Sequence, residues 1–271
     1  MKKMFPLFGA LCASAMLAAA APAVPSIPWI AAPALDGKLD DAAWGQAWKG
    51  QLVDIQSGKQ PAHPTAVLMG RDRDNLYIAF DCSETEPAKI KRQFTHIEER
   101  DNAIYSDDCV EIFIDPFGAD TGAGYHFAVN SAGIFYDALA SNPAFDSHLK
   151  AVCRTEADRW IAEVAIPFAD LGVTPGGAEL LQINLGRERQ AIPAEYSCLK
   201  AGPGGFSDES HFIAFRPAPQ DGKLPPVTFM ALGSGAAPKA IFANTLPGKQ
   251  TFRVALEFLD ADHQAFRKFN L

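Results

Sequence analysis

Short stretches in which apolar and polar residues alternate recur along the chain and limit its fold more than any other feature. The clearest is Cys109–Asp115, where Val110, Ile112 and Ile114 share one face. Because successive side chains of a strand point to opposite faces, this stretch predicts a strand with one apolar face. A series of such strands with turns between them predicts an all-β fold, an antiparallel two-sheet β-sandwich of the immunoglobulin or jelly-roll kind.

The other predicted strands lie on either side of this one and are separated by turn-forming residues. The chain has 21 glycines and 20 prolines to form turns, and its 19 phenylalanines favour strands. We therefore expect only short helical turns, at 41–48 and 168–171. The predicted strands are 65–70, 76–82, 125–130, 134–139, 160–166, 180–189 and 211–215.

Residues 1–23 have the pattern of a secretory signal peptide. Lys2 and Lys3 precede an apolar run at 7–21, and small residues follow the run. This order is typical of a removable export signal, and the run is too short to predict a membrane span. We expect a secreted or periplasmic protein with no membrane attachment after cleavage.

Proline-rich stretches divide the rest of the chain. They predict a linker at 24–32, a β-sandwich domain at 33–217 and a C-terminal extension at 218–271. The extension is too short to form a large hydrophobic core of its own, so its role is left open.

Charge and cysteine spacing exclude two classes of function. The chain carries 24 basic and 32 acidic residues, a net charge of −8, which disfavours binding to nucleic acid. Cys82, Cys109, Cys153 and Cys198 are widely spaced. Buried free thiols or a single bridge are therefore favoured over a two-disulfide framework, and no zinc-ligand spacing is present.

No common catalytic motif is present in the sequence. A nucleophile elbow, a phosphate-binding loop, a dinucleotide fingerprint and a zincin helix are all missing. The densest carboxylate group contains Asp108 and Glu111, which point to opposite faces of the predicted strand and cannot act together on a glycosidic bond. A second carboxylate from Asp137 or Glu188 is not singled out by any pattern. We expect no enzyme activity.

Polar and aromatic residues instead suggest a sugar-binding site. Glu111, His126 and Asn130 lie on strand faces opposite the apolar ones, and Tyr105 and Phe206 lie in nearby loops. A sugar ring stacks on aromatic side chains while its hydroxyls bond to carboxylates and amides. The alternatives are a solvated Glu111, a solvated His126 and an Asn130 that only starts a turn.

Six motifs occur in a fixed order and carry a family resemblance. They are DGKLDDAAW at 36–44, DNLYI at 74–78, DDCVEIFID at 107–115, FAVN at 127–130, WIAEVAIP at 160–167 and NLGR at 184–187. Through them the chain resembles the family 9 carbohydrate-binding modules and their DOMON-like relatives over about residues 33–216. The resemblance implies a β-sandwich that binds a sugar or polysaccharide without cleaving it, in association with polysaccharide degradation.

The resemblance also implies roles for individual residues. Tyr105 and Phe206 take the positions of two aromatic rings that sandwich a sugar, and Glu111 and Asn130 take those of hydroxyl ligands. His126 is an additional candidate on the same face.

The sequence departs from the family pattern at several of these positions. Both clamp positions are usually tryptophan, whereas here they are Tyr105 and Phe206. Ala128 stands where the family has arginine, and Gly186 stands where it has glutamine. These departures remove two polar contacts.

The resemblance further suggests a metal site. Some family members hold structural calcium through loop carboxylates and carbonyls, and here Asp115 and Asp120 offer such oxygens. No cofactor is required for sugar binding, and a plain turn is the alternative to calcium in this loop.

Three other functions are weighed against sugar binding. They are an interaction module with a degenerate sugar site, a haem-binding DOMON module using Met69 or Met230 with a histidine, and a glycosidase. The identity of the sugar and the oligomeric state are left open.

Overall fold

The computed structural model describes residues 23–116, 124–173 and 180–219, and the backbone of four strands between 227 and 270. Its larger sheet contains β1 (Ser26–Ile27), β3 (Val53–Asp54), β6 (Cys109–Asp115), β7 (Tyr125–Asn130), β8 (Phe135–Leu139), β11 (Leu181–Arg189), β12 (Glu195–Cys198) and β13 (Ile213–Pro217). The smaller sheet contains β2 (Trp48–Gln51), β4 (Thr65–Arg71), β5 (Asn75–Ser83), β9 (Lys150–Thr155) and β10 (Arg159–Pro167).

Helical structure in the described residues is short. It consists of the helix α1 (Ala42–Gln46) and the 3₁₀ turns Pro87–Lys89, Ile97–Glu99, Ile104–Ser106 and Glu209–His211. The predicted all-β sandwich is confirmed. No helix in the described part of the chain is long and apolar enough to span a membrane.

The inward faces of the two sheets form one apolar core. Val110 and Ile112 of β6 pack in the same buried cluster as Phe80 of β5 and Trp160 and Val164 of β10. The outward residues of β6 alternate with these, as the period-two pattern predicts. Because β11, β6, β7 and β8 are consecutive neighbours in the larger sheet, their outward side chains form one continuous surface.

The buried carboxylate of Glu163 links α1 to the smaller sheet by hydrogen bonds. Glu163 of β10 accepts hydrogen bonds from Trp44 Nε1 at 2.7 Å, Gly37 N at 2.7 Å and Asp36 N at 2.9 Å. Gly37 has a φ of 76°, and a Cβ there would lie 2.5 Å from Cβ of Arg154, so glycine is required in this turn. Burial raises the pKa of Glu163, and these three donors oppose the rise. Thus Asp36, Gly37 and Trp44 of the first motif all donate hydrogen bonds to the carboxylate of Glu163.

Trp44→Phe is expected to lower the free energy of unfolding by about 1–2 kcal/mol, because the ring is kept while a buried hydrogen bond to a charged group is lost. Chemical denaturation measures the change. The matched control is Trp48→Phe, at a partly buried tryptophan that packs edge-on against Phe215. Equal losses in the two variants would contradict the role assigned to the Trp44–Glu163 bond.

The stretch for which the sequence predicts a linker contributes to the sandwich. β1 pairs in parallel with β13, with Ser26 opposite Arg216, and both Ile27 and Ile30 are buried. A two-residue strand is too short to show a period in the sequence, which is why the predicted domain boundary at 33 falls after it.

The four strands described beyond residue 226 form two antiparallel pairs. β14 (Val227–Leu232) pairs with β15 (Lys239–Asn244), and β16 (Ala255–Leu259) pairs with β17 (Ala265–Asn270). The role of this extension stays open.

The four cysteines of the described residues are free thiols. Cys82, Cys109 and Cys198 are buried and Cys153 is partly buried. This agrees with the expectation of buried thiols rather than a disulfide framework.

Candidate functional site

A cavity of about 580 Å³ opens on the outer face of the larger sheet. It lies over β6 and its neighbours, where the polar and aromatic residues singled out from the sequence were expected to lie. The described residues that line it are Tyr105, Glu111, Phe113, Asp115, Gly124, Tyr125, His126, Tyr136, Ala140, Ser141, Glu188, Phe206, Ser207, Glu209 and Phe212. Four of the five predicted sugar ligands are therefore brought together here.

Glu111 lies between two small residues of the neighbouring strands. It pairs with Ala128 of β7 on one side and Gly186 of β11 on the other, so all three point outward from the sheet. Ala128 is buried in a small cluster with Ile104 and Ile134. These two positions are where the sequence departs from the family pattern, and both are covered by residues from loops.

Phe206 covers Gly186. A Cβ at Gly186 would lie 3.2 Å from three atoms of the Phe206 ring, so glycine allows the ring to settle on the sheet. The ring is only 7% exposed and packs in a cluster with Phe113 and Cys198. Asn184 Nδ2 donates a hydrogen bond to the carbonyl oxygen of Phe206 at 2.8 Å and fixes the loop. Phe206 therefore forms a firmly held wall of the cavity.

Tyr105 lies on the other side of β6. It stands on the 3₁₀ turn Ile104–Ser106 with 45% of its surface exposed, and its ring meets Tyr136 of β8 edge-on with centroids 6.1 Å apart. Gln190 Nε2 donates to the Tyr105 carbonyl oxygen at 3.2 Å. Since Phe206 rests on β11 and Tyr105 packs toward β8, the two rings flank the strand that carries Glu111.

His126 is held in a defined orientation next to Glu111. Its ring stacks on Phe113 with centroids 4.2 Å apart and an interplanar angle of 10°. His126 Nε2 lies 2.6 Å from Glu111 Oε2, a hydrogen-bond distance. The edge of Tyr136 meets the same imidazole at 5.3 Å. Glu111 is 4% exposed, and this contact partly satisfies its carboxylate.

Glu188 is the site residue that the sequence failed to single out. It lies on the same face of β11 as Gly186, and it pairs with Cys109 of β6. Gln190 Nε2 donates to Glu188 Oε2 at 2.7 Å. Burial raises the pKa of Glu188 to about 8, helped by the charge of Glu111 and by the hydrogen bond between the two carboxyl groups. Period two places Glu188 on the outer face, but only the register of β11 against β6 brings it to Glu111.

Asn130 does not line the cavity. Its Nδ2 donates to Phe94 O at 2.8 Å and to Asp107 Oδ2 at 3.0 Å, and its Oδ1 accepts from Ala132 N and Ile134 N, both at 3.0 Å. These bonds occupy the amide inside the protein and hold the turn after β7. A role as a sugar ligand stays a prediction for this residue.

Of the two predicted calcium ligands, only Asp115 lies within the described residues. Asp115 lines the cavity, and Asp120 is outside the described residues, so this site stays a prediction.

The haem alternative relied on Met69, which lies in the core between the sheets. The side chain of Met230 is not described.

One group of metal-ligand type lies under the cavity. Cys109, Glu111 and Glu188 place one ligand atom each within 4.8 Å of the others. Burial, followed by the charges of Glu111 and Glu188, raises the pKa of the Cys109 thiol well above its ordinary value. A metal ion bound there would have to displace the proton of this thiol.

Comparison with solved structures shows a shared fold. A family 9 carbohydrate-binding module from Caldicellulosiruptor kristjanssonii in complex with cellotriose superposes with a TM-score of 0.54 at 15% identity, covering 72% of this chain and 93% of that one. Its complex with glucose gives a TM-score of 0.53 at 15% identity over 71% and 94%. A Bacteroides uniformis protein gives 0.54 at 13% identity over 71% and 97%.

The sequence comparisons give the family. No curated protein sequence matches the chain. The model of the carbohydrate family 9 binding domain-like family matches residues 35–187, which include all six motifs and the strand that carries Glu111. With the sandwich fold and more than half of its length matched, the chain belongs to the carbohydrate family 9 binding domain-like family.

Proposed function

We propose that the cavity binds a sugar unit of a glycan and that the protein acts as a non-catalytic carbohydrate-binding domain. The observation that carries this proposal is the placement of Tyr105 and Phe206 in one cavity on either side of the strand of Glu111. Aromatic rings stack on the C–H face of a sugar, and a buried carboxylate accepts hydrogen bonds from its hydroxyls. The structural neighbours from Caldicellulosiruptor kristjanssonii that are bound to cellotriose and glucose support the same ligand class.

The carboxyl geometry supports binding rather than cleavage. Retaining glycosidases separate their two carboxyl groups by about 5–5.5 Å and inverting ones by about 6.5–9.5 Å, because the scissile bond lies between them. Glu111 and Glu188 have oxygens within 4.8 Å and share a hydrogen bond. This spacing is shorter than the separation in either class of glycosidase.

We further propose that the protein is exported and takes part in polysaccharide degradation. Residues 1–23 support export by their charge and apolar run. Secretion of a reporter fused to 1–23, compared with the same reporter carrying Lys2→Glu and Lys3→Glu, tests the export signal. A reporter that stays inside the cell in both forms would contradict it.

Tyr105→Ala is expected to weaken sugar binding about tenfold, because an exposed stacking ring contributes about 1–1.5 kcal/mol beyond its surface burial. Calorimetry or affinity electrophoresis against a panel of soluble glycans, including glucose and cellotriose, measures it. The control is Ile97→Ala, since Ile97 is an exposed apolar residue (54%) that does not line the cavity.

The two variants separate the proposal from its alternatives. Equal affinities of wild type and Tyr105→Ala would remove the assigned site. Failure of the folded wild type to bind any glycan of the panel at millimolar concentration would favour the interaction module with a degenerate sugar site.

A further inference from the structure

The cavity has four carboxyl groups in its lining. Glu111, Asp115, Glu188 and Glu209 line it, together with His126. Among the described lining residues there is no lysine or arginine. An acidic cavity repels anionic sugars such as uronates, so its electrostatics exclude one ligand class and favour another.

Two of these carboxyl groups, those of Glu111 and Glu188, lie next to each other. Glu111 is 4% exposed, and its carboxyl group shares a hydrogen bond with that of Glu188. Two carboxylates in contact repel each other when both are ionised, and their partners on the protein are His126 and Gln190. A ligand cation seated against both oxygens would take the place of the proton that the two groups share.

The walls of the cavity are suited to the same kind of ligand. Tyr105, Tyr136, Phe206 and Phe212 present aromatic rings to its interior. Aromatic faces attract cations as well as the C–H face of a sugar. Carboxylates at the floor with aromatic rings around them form a combination that favours a sugar with a positive charge.

We infer that this site prefers amino sugars with a free, protonated amine over the corresponding neutral sugars, with the ammonium group bound by Glu111 and Glu188. This inference rests on the proposed function of the cavity. The ammonium group donates hydrogen bonds to both carboxylates, and the proton that the pair shared passes to solvent. Glu188 acts as a specificity-determining residue.

The groups that face Glu188 influence whether its carboxyl group is ionised. They are Glu111 and Cys109 on β6 and, across the β11–β12 pair, Tyr196, with the neutral amide of Gln190 beside it. Among the described lining residues, no lysine or arginine accompanies this carboxyl pair.

Matched sugar pairs test the inference. Affinities of the folded protein for glucose and glucosamine, galactose and galactosamine, and mannose and mannosamine are measured at pH 7.5 and constant ionic strength, since near the raised pKa of Glu188, about 8, loss of its proton costs little. We expect the amine to bind about tenfold more tightly than its parent for the pair that fits the cavity, since a hydrogen bond to a charged group exceeds a neutral one by about 1–1.5 kcal/mol. The N-acetylated sugar, which has no charge, should lose this advantage.

In the variant Glu188→Gln, the ratio of the affinity for the amino sugar to the affinity for its parent sugar should be close to one. Equal binding of amine and parent by the wild type would overturn the inference while leaving the proposed function intact. A ratio that persists in Glu188→Gln would overturn the role of Glu188. Absence of binding to every member of the panel would overturn the proposed function itself, and this inference with it.

Discussion

Glu111→Ala should weaken sugar binding about 100-fold, the largest effect that we expect from any substitution in the cavity. The residue is the buried carboxylate between the two aromatic walls, and it is held by His126 Nε2 at 2.6 Å. Two charge-assisted hydrogen bonds to sugar hydroxyls, lost together, amount to about 3 kcal/mol. Isothermal titration with the best glycan of the panel measures the loss.

The matched control for this substitution is Glu156→Ala. Glu156 follows β9 at the edge of the smaller sheet, where it lies 3.7 Å from Arg154 Nε, and its loss should change sugar affinity less than twofold. Circular dichroism of each variant establishes that it is folded. If folded Glu111→Ala binds within threefold of the wild type, the cavity is not the sugar site.

Glu84→Gln is expected to lower the free energy of unfolding by about 3 kcal/mol or more, because it leaves two buried arginines without their shared carboxylate. Glu84 Oε2 lies 2.7 Å from Arg189 Nε and 3.6 Å from Arg187 Nη2, and all three side chains are almost completely buried. Burial alone would raise the pKa of Glu84, but bonds from Arg189 and the backbone of Glu86 outweigh it and lower this pKa. The carboxylate is therefore ionised and compensates the guanidinium charges. Urea denaturation at neutral pH measures the loss.

Two further variants show whether charge is the cause. Glu86→Gln removes a neighbouring carboxylate whose bridge to Lys89 is exposed, and it should cost less than 1 kcal/mol. The double variant Glu84→Gln with Arg189→Met should lose less than the sum of the two single variants, since it removes one of the uncompensated charges. Strict additivity would contradict the proposed coupling.

Much of the site could be predicted from local pattern. Alternation along 109–115 and 125–130 placed Glu111 and His126 on the outer face, and both line the cavity. Period two is a property of the strand itself, so it can be read without knowing what the strand packs against. Tyr105 and Phe206 were expected in loops beside these strands, their role as a clamp came from the family resemblance, and both residues line the cavity.

Other features depended on contacts between distant parts of the chain. The amide of Asn130, expected on the outer face, is used by Phe94, Asp107 and the following turn, which no pattern in the strand reveals. The departures at Ala128 and Gly186 removed two polar side chains in the sequence, whereas the fold fills both places with side chains from loops.

The sequence by itself determined the strands, their inner and outer faces and the family of the fold. These features can be predicted because the alternation of a strand and the residues of a turn are local patterns, each recognisable within a few positions of the chain. Only the tertiary structure decided that Glu188 touches Glu111, that Phe206 rests on Gly186 and that Glu84 is shared by two arginines. The register between β6 and β11 and the course of the loop at 199–212 join residues far apart in the chain, and the packing of the whole sandwich fixes them.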